Sequence, residues 1–363
     1  MPNIVESDLS HPYVDYGLGE QLHPDEEALA GQIAEAIEKT IRAQYRAGHA
    51  RRDAHPKAHG IVRAEFRVNG SIPNDLAKGI FIPGKTYQAW IRFSNGLQDD
   101  DNKEDARGMA IKVMGVPGEK LLEKDWHATT QDFIMINHPV FFLNDPQRYL
   151  SFIEKSSSHS LLSKLTAPVT LGLAGTLLVK ELSKGRISNP VQIRYWSAVP
   201  YQLGIGPERQ AIKFSATPRS TTLDPIPNNP SPNYLRDALR ETLRENDATF
   251  KFLVQPRTSD SLSVEDSMTE WKEEHAPFHE VATVYIPRQD FDNPEQNEFA
   301  ENISFNPWHA LPEHRPLGII NRIRKVVYDN TSRVRHSMNS VERKEPAPEE
   351  SCISSSGAGR SLA

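Results

Sequence analysis

The sequence predicts an α+β fold: an antiparallel β-barrel core with helical additions and an N-terminal arm. Three observations lead there. Eight strand-like runs follow one another without alternating helices, an order that suits an antiparallel barrel or sandwich. Gly, Pro and Asn/Asp turns bound the runs, as in Val68-Asn69-Gly70 and Pro83-Gly84-Lys85. Proline is frequent, 27 of 363 residues, and it breaks helix interiors, which counts against a helical bundle.

In chain order, residues 1–24 carry no clear period and form an extended arm. Pro24-Asp25-Glu26-Glu27 then places proline and acids where a helix begins. Leu29, Ile33, Ile37, Ile41 and Tyr45 follow at every fourth position, an amphipathic stripe ending near Gly48 that calls for a neighbouring body or subunit. Strands are expected at 61–68, 87–94, 106–113 and 133–142, then at 191–196, 211–216, 250–255 and 280–286. Residues 161–182 are mostly apolar and helical, yet too short between Lys164 and Lys180 to span a bilayer. They read as a buried or lid-like helix, with a peripheral membrane contact as the alternative. Residues 217–232, rich in Pro, Asn and Ser, form a loop. The charged, then Ser/Gly-rich stretch 340–363 is expected to be disordered. The implied organisation is an arm over 1–24, a single domain over 25–339 and a tail over 340–363.

Bulk composition narrows the function. Apolar residues make up 37% and charged ones 25%, the balance of a soluble globular protein long enough for a substantial core. With 42 basic and 48 acidic side chains the net charge is −6, so nothing drives the chain as a whole toward nucleic acid or an anionic membrane. One cysteine, Cys352, rules out a disulfide framework. No signal peptide is visible before Leu18, so a cytoplasmic location is expected.

The chemistry gathers near the C-terminus. Ile320, Ile323, Val327 and Val334 recur at helical spacing, and Tyr328 sits among them with Arg324 one turn before and Thr331 just under a turn after. Residues three and four apart share a helix face, so phenol, guanidinium and hydroxyl converge. A cation beside a phenol favours the phenolate, and a phenolate is a known axial ligand of haem iron. A basic surface helix with one half-buried tyrosine would read the same way. Elsewhere, strand alternation puts Trp90, Arg92 and Ser94 on one face. An arginine on the inward face of a barrel strand is costly unless an anion meets it. His55, in Arg52-Asp53-Ala54-His55-Pro56-Lys57, precedes the first strand.

These stretches resemble the catalase superfamily. The segment 324–335 is similar to the family's proximal haem motif, Arg-x-Phe-x-Tyr-x-Asp-Thr-x-x-x-Arg, with Arg324, Tyr328, Thr331, Arg333, Arg335 and the later Asn339 in register. Val326 replaces the family's Phe, and Asp329 stands one place early. Residues 52–57 resemble Arg-x-Val-His-Ala-Lys, with Ala54 in place of Val. Residues 91–94 and 106–113 resemble Val-Arg-Phe-Ser and Pro-Arg-Gly-Phe-Ala-Val-Lys-Phe. Residues 132–142 resemble Asp-Leu-x-Gly-Asn-Asn-Thr-Pro-x-Phe-Phe, and stretches around Trp271 and 293–307 extend the likeness over about 25–339. Aligned without gaps, Ile136 takes the place of the family's catalytic asparagine. Asn137 comes one residue later and enters the pocket only through a bulge.

The resemblance implies a catalase-like barrel holding haem b with ferric iron. Tyr328 becomes the metal ligand and Arg324 its charged partner. His55 becomes the distal base, Ser94 its orienter and Asn137 the second catalytic polar group. Arg52, Arg92 and Arg335 become haem-propionate partners, and Phe141 and Thr331 further cofactor contacts. The implied function is peroxide metabolism. A peroxidase, isomerase or lyase for organic or fatty-acid hydroperoxides with weak catalase activity leads, followed by ordinary catalase and by a haem binder or sensor. The partners implied are a small-molecule peroxide and, as in a homo-oligomer, further copies of the chain, with no nucleic acid.

Overall fold

The nine strands among the described residues form one antiparallel sheet that curls back on itself. The computed structural model describes residues 13–157 and 167–347. Its strands are β1 Ala58–Val68, β2 Thr86–Asn95, β3 Arg107–Met114, β4 Thr130–Ile136, β5 Tyr195–Trp196, β6 Tyr201–Leu203, β7 Gln210–Pro218, β8 Ala248–Pro256 and β9 His279–Ile286. They run in the order β5-β4-β3-β2-β1-β9-β8-β7-β6, and pairing of Tyr195 with Ala216 joins β5 to β7. Eight strands thus close into a barrel, with β6 added beyond β7. The closed ring leaves no long free edge for strand addition.

Which face is the interior follows from rings that meet across strands that are not neighbours. Phe66 on β1 stacks on Phe133 of β4 at 5.9 Å, and Phe133 meets Phe252 of β8 at 5.0 Å. The partners of these rings, Ile91, Phe93, Met109 and Ile111, therefore point inward. By alternation Trp90, Arg92, Ser94, Gly108, Lys112 and Ile136 point outward. Arg92 thus lies on the outer wall of the barrel and not in its interior, which corrects the expectation from sequence. It is still 3% exposed, because other segments cover that wall.

Six helices occur among the described residues: α1 Glu26–Gln44, α2 Pro146–Ser157, α3 Gly172–Ser183, α4 Tyr234–Glu245, α5 Pro294–Asn302 and α6 Ile319–Asn339. The stripe Leu29, Ile33, Ile37 and Ile41 of α1 is buried, and the body it packs on is chiefly α6 of the same chain. The start of α6 is set by charge. Glu265 accepts from the Ile319 amide at 2.6 Å, while Arg322 pairs with Glu20 at 2.6 Å and Glu26 at 2.7 Å. Glu20 belongs to the arm, so residues 13–24 are pinned to α6.

Some element bounds differ from expectation. The strand expected over 133–142 stops at Ile136, where Asn137, His138 and Pro139 turn the chain away. The helix expected over 161–182 begins at Gly172 after a short 3-10 turn, and residues 161–166 lie outside the described residues. At the C-terminus, residues 341–347 run back along the barrel. Glu345 pairs with the fully buried Lys112 at 2.7 Å, and Arg343 with Asp125 at 3.0 Å. Residues 348–363 lie outside the described residues. No described helix is long and apolar enough to cross a membrane.

Candidate active site

The outer wall of β2 and β3 carries the site. Ser94 pairs with Gly108, and Gly108 with Ile136, so the three share one face. His55 lies over that face. Its backbone takes the left-handed conformation, φ 59, which costs a non-glycine residue roughly 1 kcal/mol. Strain of this kind persists only where the surroundings fix it. Here the His55 amide donates to the Gly96 carbonyl at 2.7 Å, and the His55 carbonyl accepts from Arg92 at 3.0 Å.

The imidazole tautomer follows from its partners. Nδ1 lies 2.9 Å from the Asn95 carbonyl, which only accepts, so Nδ1 carries the proton and Nε2 is the base. Ser94 Oγ stands 3.1 Å from the same Nδ1 and steadies the ring. Burial, and after it the Arg92 guanidinium, lowers the His55 pKa to about 4, with Arg324 and Arg52 acting in the same direction. At neutral pH the ring is therefore an uncharged proton acceptor. Gly108 makes room for it, since a Cβ there would stand 2.6 Å from His55 Nδ1 and 2.8 Å from Ser94 Oγ.

On α6 Tyr328 is half-buried, with Arg324 Nη2 donating to its hydroxyl at 3.0 Å, and Arg324 is near enough to act on the charge of His55. Arg324 also donates to Asn321 at 3.0 Å. The nearby Tyr201 is raised to about 12 by burial, with Arg324 acting the other way. The tyrosine and guanidinium thus come together as expected. Thr331 does not join them, for its hydroxyl turns to the carbonyl of Tyr328 in its own helix, at 3.4 Å. Asp329 pairs instead with Lys124, away from the site. Asn339 clamps the end of α6 to Ala50 through two hydrogen bonds, of 2.8 and 2.9 Å.

Between the two sides lies a surplus of buried positive charge. Arg52, Arg92 and Arg335 converge on residues 300–304. Arg92 donates to the Ala300 carbonyl, Arg52 to that of Ile303, and Arg335 to the Ser304 hydroxyl at 3.1 Å. Their one nearby carboxylate is Glu301, 3.8 Å from Arg52 and 3.9 Å from Arg92, and itself 42% exposed. Burial, and then the neighbouring guanidiniums, works against the charge on all three, while Glu301 works the other way. Arg52 Nη1 is buried with no hydrogen-bond partner. Guanidinium does not shed its proton, so this cluster calls for an anion.

Phe141 is half-buried and packs on Phe142 with the rings tilted and their centres 4.5 Å apart, its amide held by the Ser267 carbonyl at 2.9 Å. Asn137 is not brought to His55. Its Oδ1 accepts from the Arg107 amide at 2.7 Å and its own amide donates to the Arg107 carbonyl at 3.0 Å, which continues the β3–β4 ladder. Ile136 takes the place beside Gly108, so the expected second polar group is absent from this register. Sequence reasoning passed over two other groups. Tyr149 on α2 is half-buried near Asp53, Tyr328 and Arg324, and burial raises its pKa. Asp53, beside His55, is pushed by burial up to about 6. The signal for Asp53 was a carboxylate next to a motif histidine; Tyr149 had none.

No family model and no curated protein sequence matches the chain. Solved structures do. A fungal catalase superposes with a TM-score of 0.60 at 17% identity, over 88% of this chain and 64% of its own length. Catalase A from Saccharomyces cerevisiae gives 0.59 at 17%, over 90% of this chain and 68% of its own. A bacterial catalase gives 0.62 at 16%, over 95% and 68%. The chain therefore has the catalase fold, and it spans less than two thirds of the fungal catalase's length.

Proposed function

We propose that the chain is a haem enzyme acting on peroxides, with organic or fatty-acid hydroperoxides as preferred substrates and a peroxidase, isomerase or lyase outcome. The observation that carries the reading is the excess of buried guanidinium at Arg52, Arg92 and Arg335. Haem brings two carboxylates to such a cluster, and guanidinium forks match carboxylates. The donor set fits in other respects as well. Tyr328, with Arg324 Nη2 hydrogen-bonded to its oxygen, would supply that oxygen as the ligand to ferric iron, and apolar Ile136 and Phe141 suit the neighbourhood of a porphyrin face.

When bound, haem supplies heterolysis of a peroxide oxygen–oxygen bond. This chain's residues handle the proton. His55 Nε2 would take it from one oxygen of the peroxide and return it to the other, the one that departs as water or an alcohol. Asn95 and Ser94 hold the imidazole in the required tautomer. Arg324 holds the tyrosine oxygen in place. Ile136 and Phe141 keep water out.

Two features favour the bulkier substrates. Ile136 stands where the resemblance puts asparagine, which leaves His55 as the proton-handling group on its side, and Ala54, where the resemblance puts valine, is small and exposed. Ordinary catalase activity is the second reading, favoured by the fold itself. The test is the absorption spectrum of purified protein with haem, beside that of Tyr328→Phe. A high-spin ferric tyrosinate spectrum lost in the variant supports the reading; no haem uptake, or an unchanged spectrum, refutes it. Loss of diene absorbance from a lipid hydroperoxide without reductant then separates isomerase or lyase work from oxygen evolution by a catalase.

A further inference from the structure

Helix α3 leaves an apolar stripe in solvent. Val169, in the 3-10 turn before it, is 74% exposed, Leu173 80% and Leu177 56%. Leu173 and Leu177 stand one turn apart and form a ridge along α3, and Val169 precedes them across Gly172, whose φ is 71. Gly175 is buried on the opposite side, two residues from both leucines and so about 200° away on the helix. A Cβ on Gly175 would stand 3.0 Å from the Phe142 carbonyl, so α3 lies close on the segment that follows β4. The inner face is therefore occupied, and the leucines point away from the protein.

Charge indicates the occupant. The chain as a whole is acidic, with 42 basic against 48 acidic residues. Around α3 the sign reverses: residues 145–157 and 167–186 carry five basic side chains and three acidic ones. Lys180, Lys184 and Arg186 are exposed at the end of the helix, just past the ridge. An apolar ridge flanked by exposed basic groups matches the acyl and headgroup layers of an anionic membrane. A helix of 12 residues lies in such a surface rather than crossing it.

From this we infer that α3 docks the protein on anionic lipid membranes, with Val169, Leu173 and Leu177 inserted and Lys180, Lys184 and Arg186 on the headgroups. The surface lies over Phe142, next to Phe141 of the candidate site, so a docked molecule would hold its site close to the lipid phase. The docking inference stands independently of the haem reading.

Co-sedimentation of the full-length protein with phosphatidylcholine vesicles, with and without phosphatidylserine, tests it. The expected result is binding to the anionic vesicles that high salt weakens. Leu173→Ser with Leu177→Ser should weaken it at least about tenfold, since each buried leucine contributes on that scale. Lys180→Glu with Lys184→Glu should weaken it as well and reduce the salt dependence. All four side chains are exposed at least in part, so the variants should keep the wild-type circular dichroism and melting temperature. No binding by the wild type, or binding indifferent to the leucines, overturns the inference. So does a concentration-dependent dimer in light scattering that the serine variant abolishes, because the ridge would then be covered by a second copy.

Discussion

The most direct test of the site's electrostatics needs neither haem nor substrate. In the folded chain the His55 pKa lies at about 4, against 6.5 ordinarily. On acidification the unfolded chain takes up this proton first, so stability present above 6.5 is lost as the pH falls, and the loss is complete below about 4. One pKa unit corresponds to about 1.4 kcal/mol, so the gap amounts to roughly 3 kcal/mol. Other buried histidines act in the same direction, among them His314, lowered by burial to about 3. The contribution of His55 is therefore read as a difference between proteins. His55→Asn suits the purpose, because asparagine tolerates a positive φ. Urea unfolding of the haem-free protein at neutral pH and near pH 4 should show the variant losing about 3 kcal/mol less than the wild type. Equal losses in the two proteins would refute the claim that burial and Arg92 hold this ring neutral.

Three other perturbations have definite outcomes. Gly108→Ala puts a methyl 2.6 Å from His55 Nδ1, so the imidazole must move. Overpacking of this kind costs about 1–3 kcal/mol, and a base displaced by an ångström loses on the order of 100-fold in rate; denaturant midpoints and peroxide turnover measure the two. Glu345→Gln removes one of two carboxylates from fully buried Lys112 and should cost about 2 kcal/mol or more in thermal unfolding; no change would show that 341–347 does not hold the barrel. Arg52→Met removes a cradle guanidinium, so haem affinity should fall about tenfold or more. Haem with esterified propionates should bind the wild type weakly, with the variant less sensitive to esterification in a spectroscopic titration.

Much of the barrel was legible because each long strand buries one face against aromatic neighbours, giving runs bounded by turns, as at 58–68 and 248–256. The strand expected over 191–196 is reduced to the two residues of β5, because Pro190–Gln192 makes a 3-10 turn, and the three residues of β6 are too short to show a period; both are strands because β7 pairs with them. Helix α4 had a usable signal in Leu235, Leu239 and Leu243, all fully buried at every fourth position. On the site, Arg324 and Tyr328 were readable because one helical turn fixes their approach. Spacing alone does not reveal where the Thr331 hydroxyl turns, which here is the carbonyl of Tyr328 in the preceding turn. Arg92 was assigned correctly to a buried face, but alternation cannot tell the inside of a barrel from a covered outer wall.

The outer-wall position also bears on Ile136 and Asn137. A bulge before β4 ends would exchange the two side chains. It would also break the paired contacts between Asn137 and Arg107, a main-chain bond and an amide bond that start β3. Arg107 itself is 1% exposed and donates to Asn95 Oδ1 at 2.7 Å, and Asn95 in turn supplies the carbonyl that fixes the His55 tautomer. A shift that brought Asn137 into the pocket would therefore loosen the residue holding the base. The register that keeps Asn137 on Arg107 is the same one that orients His55, and the pairing of Ile136 with Gly108 beneath the imidazole is a consequence of how β3 begins.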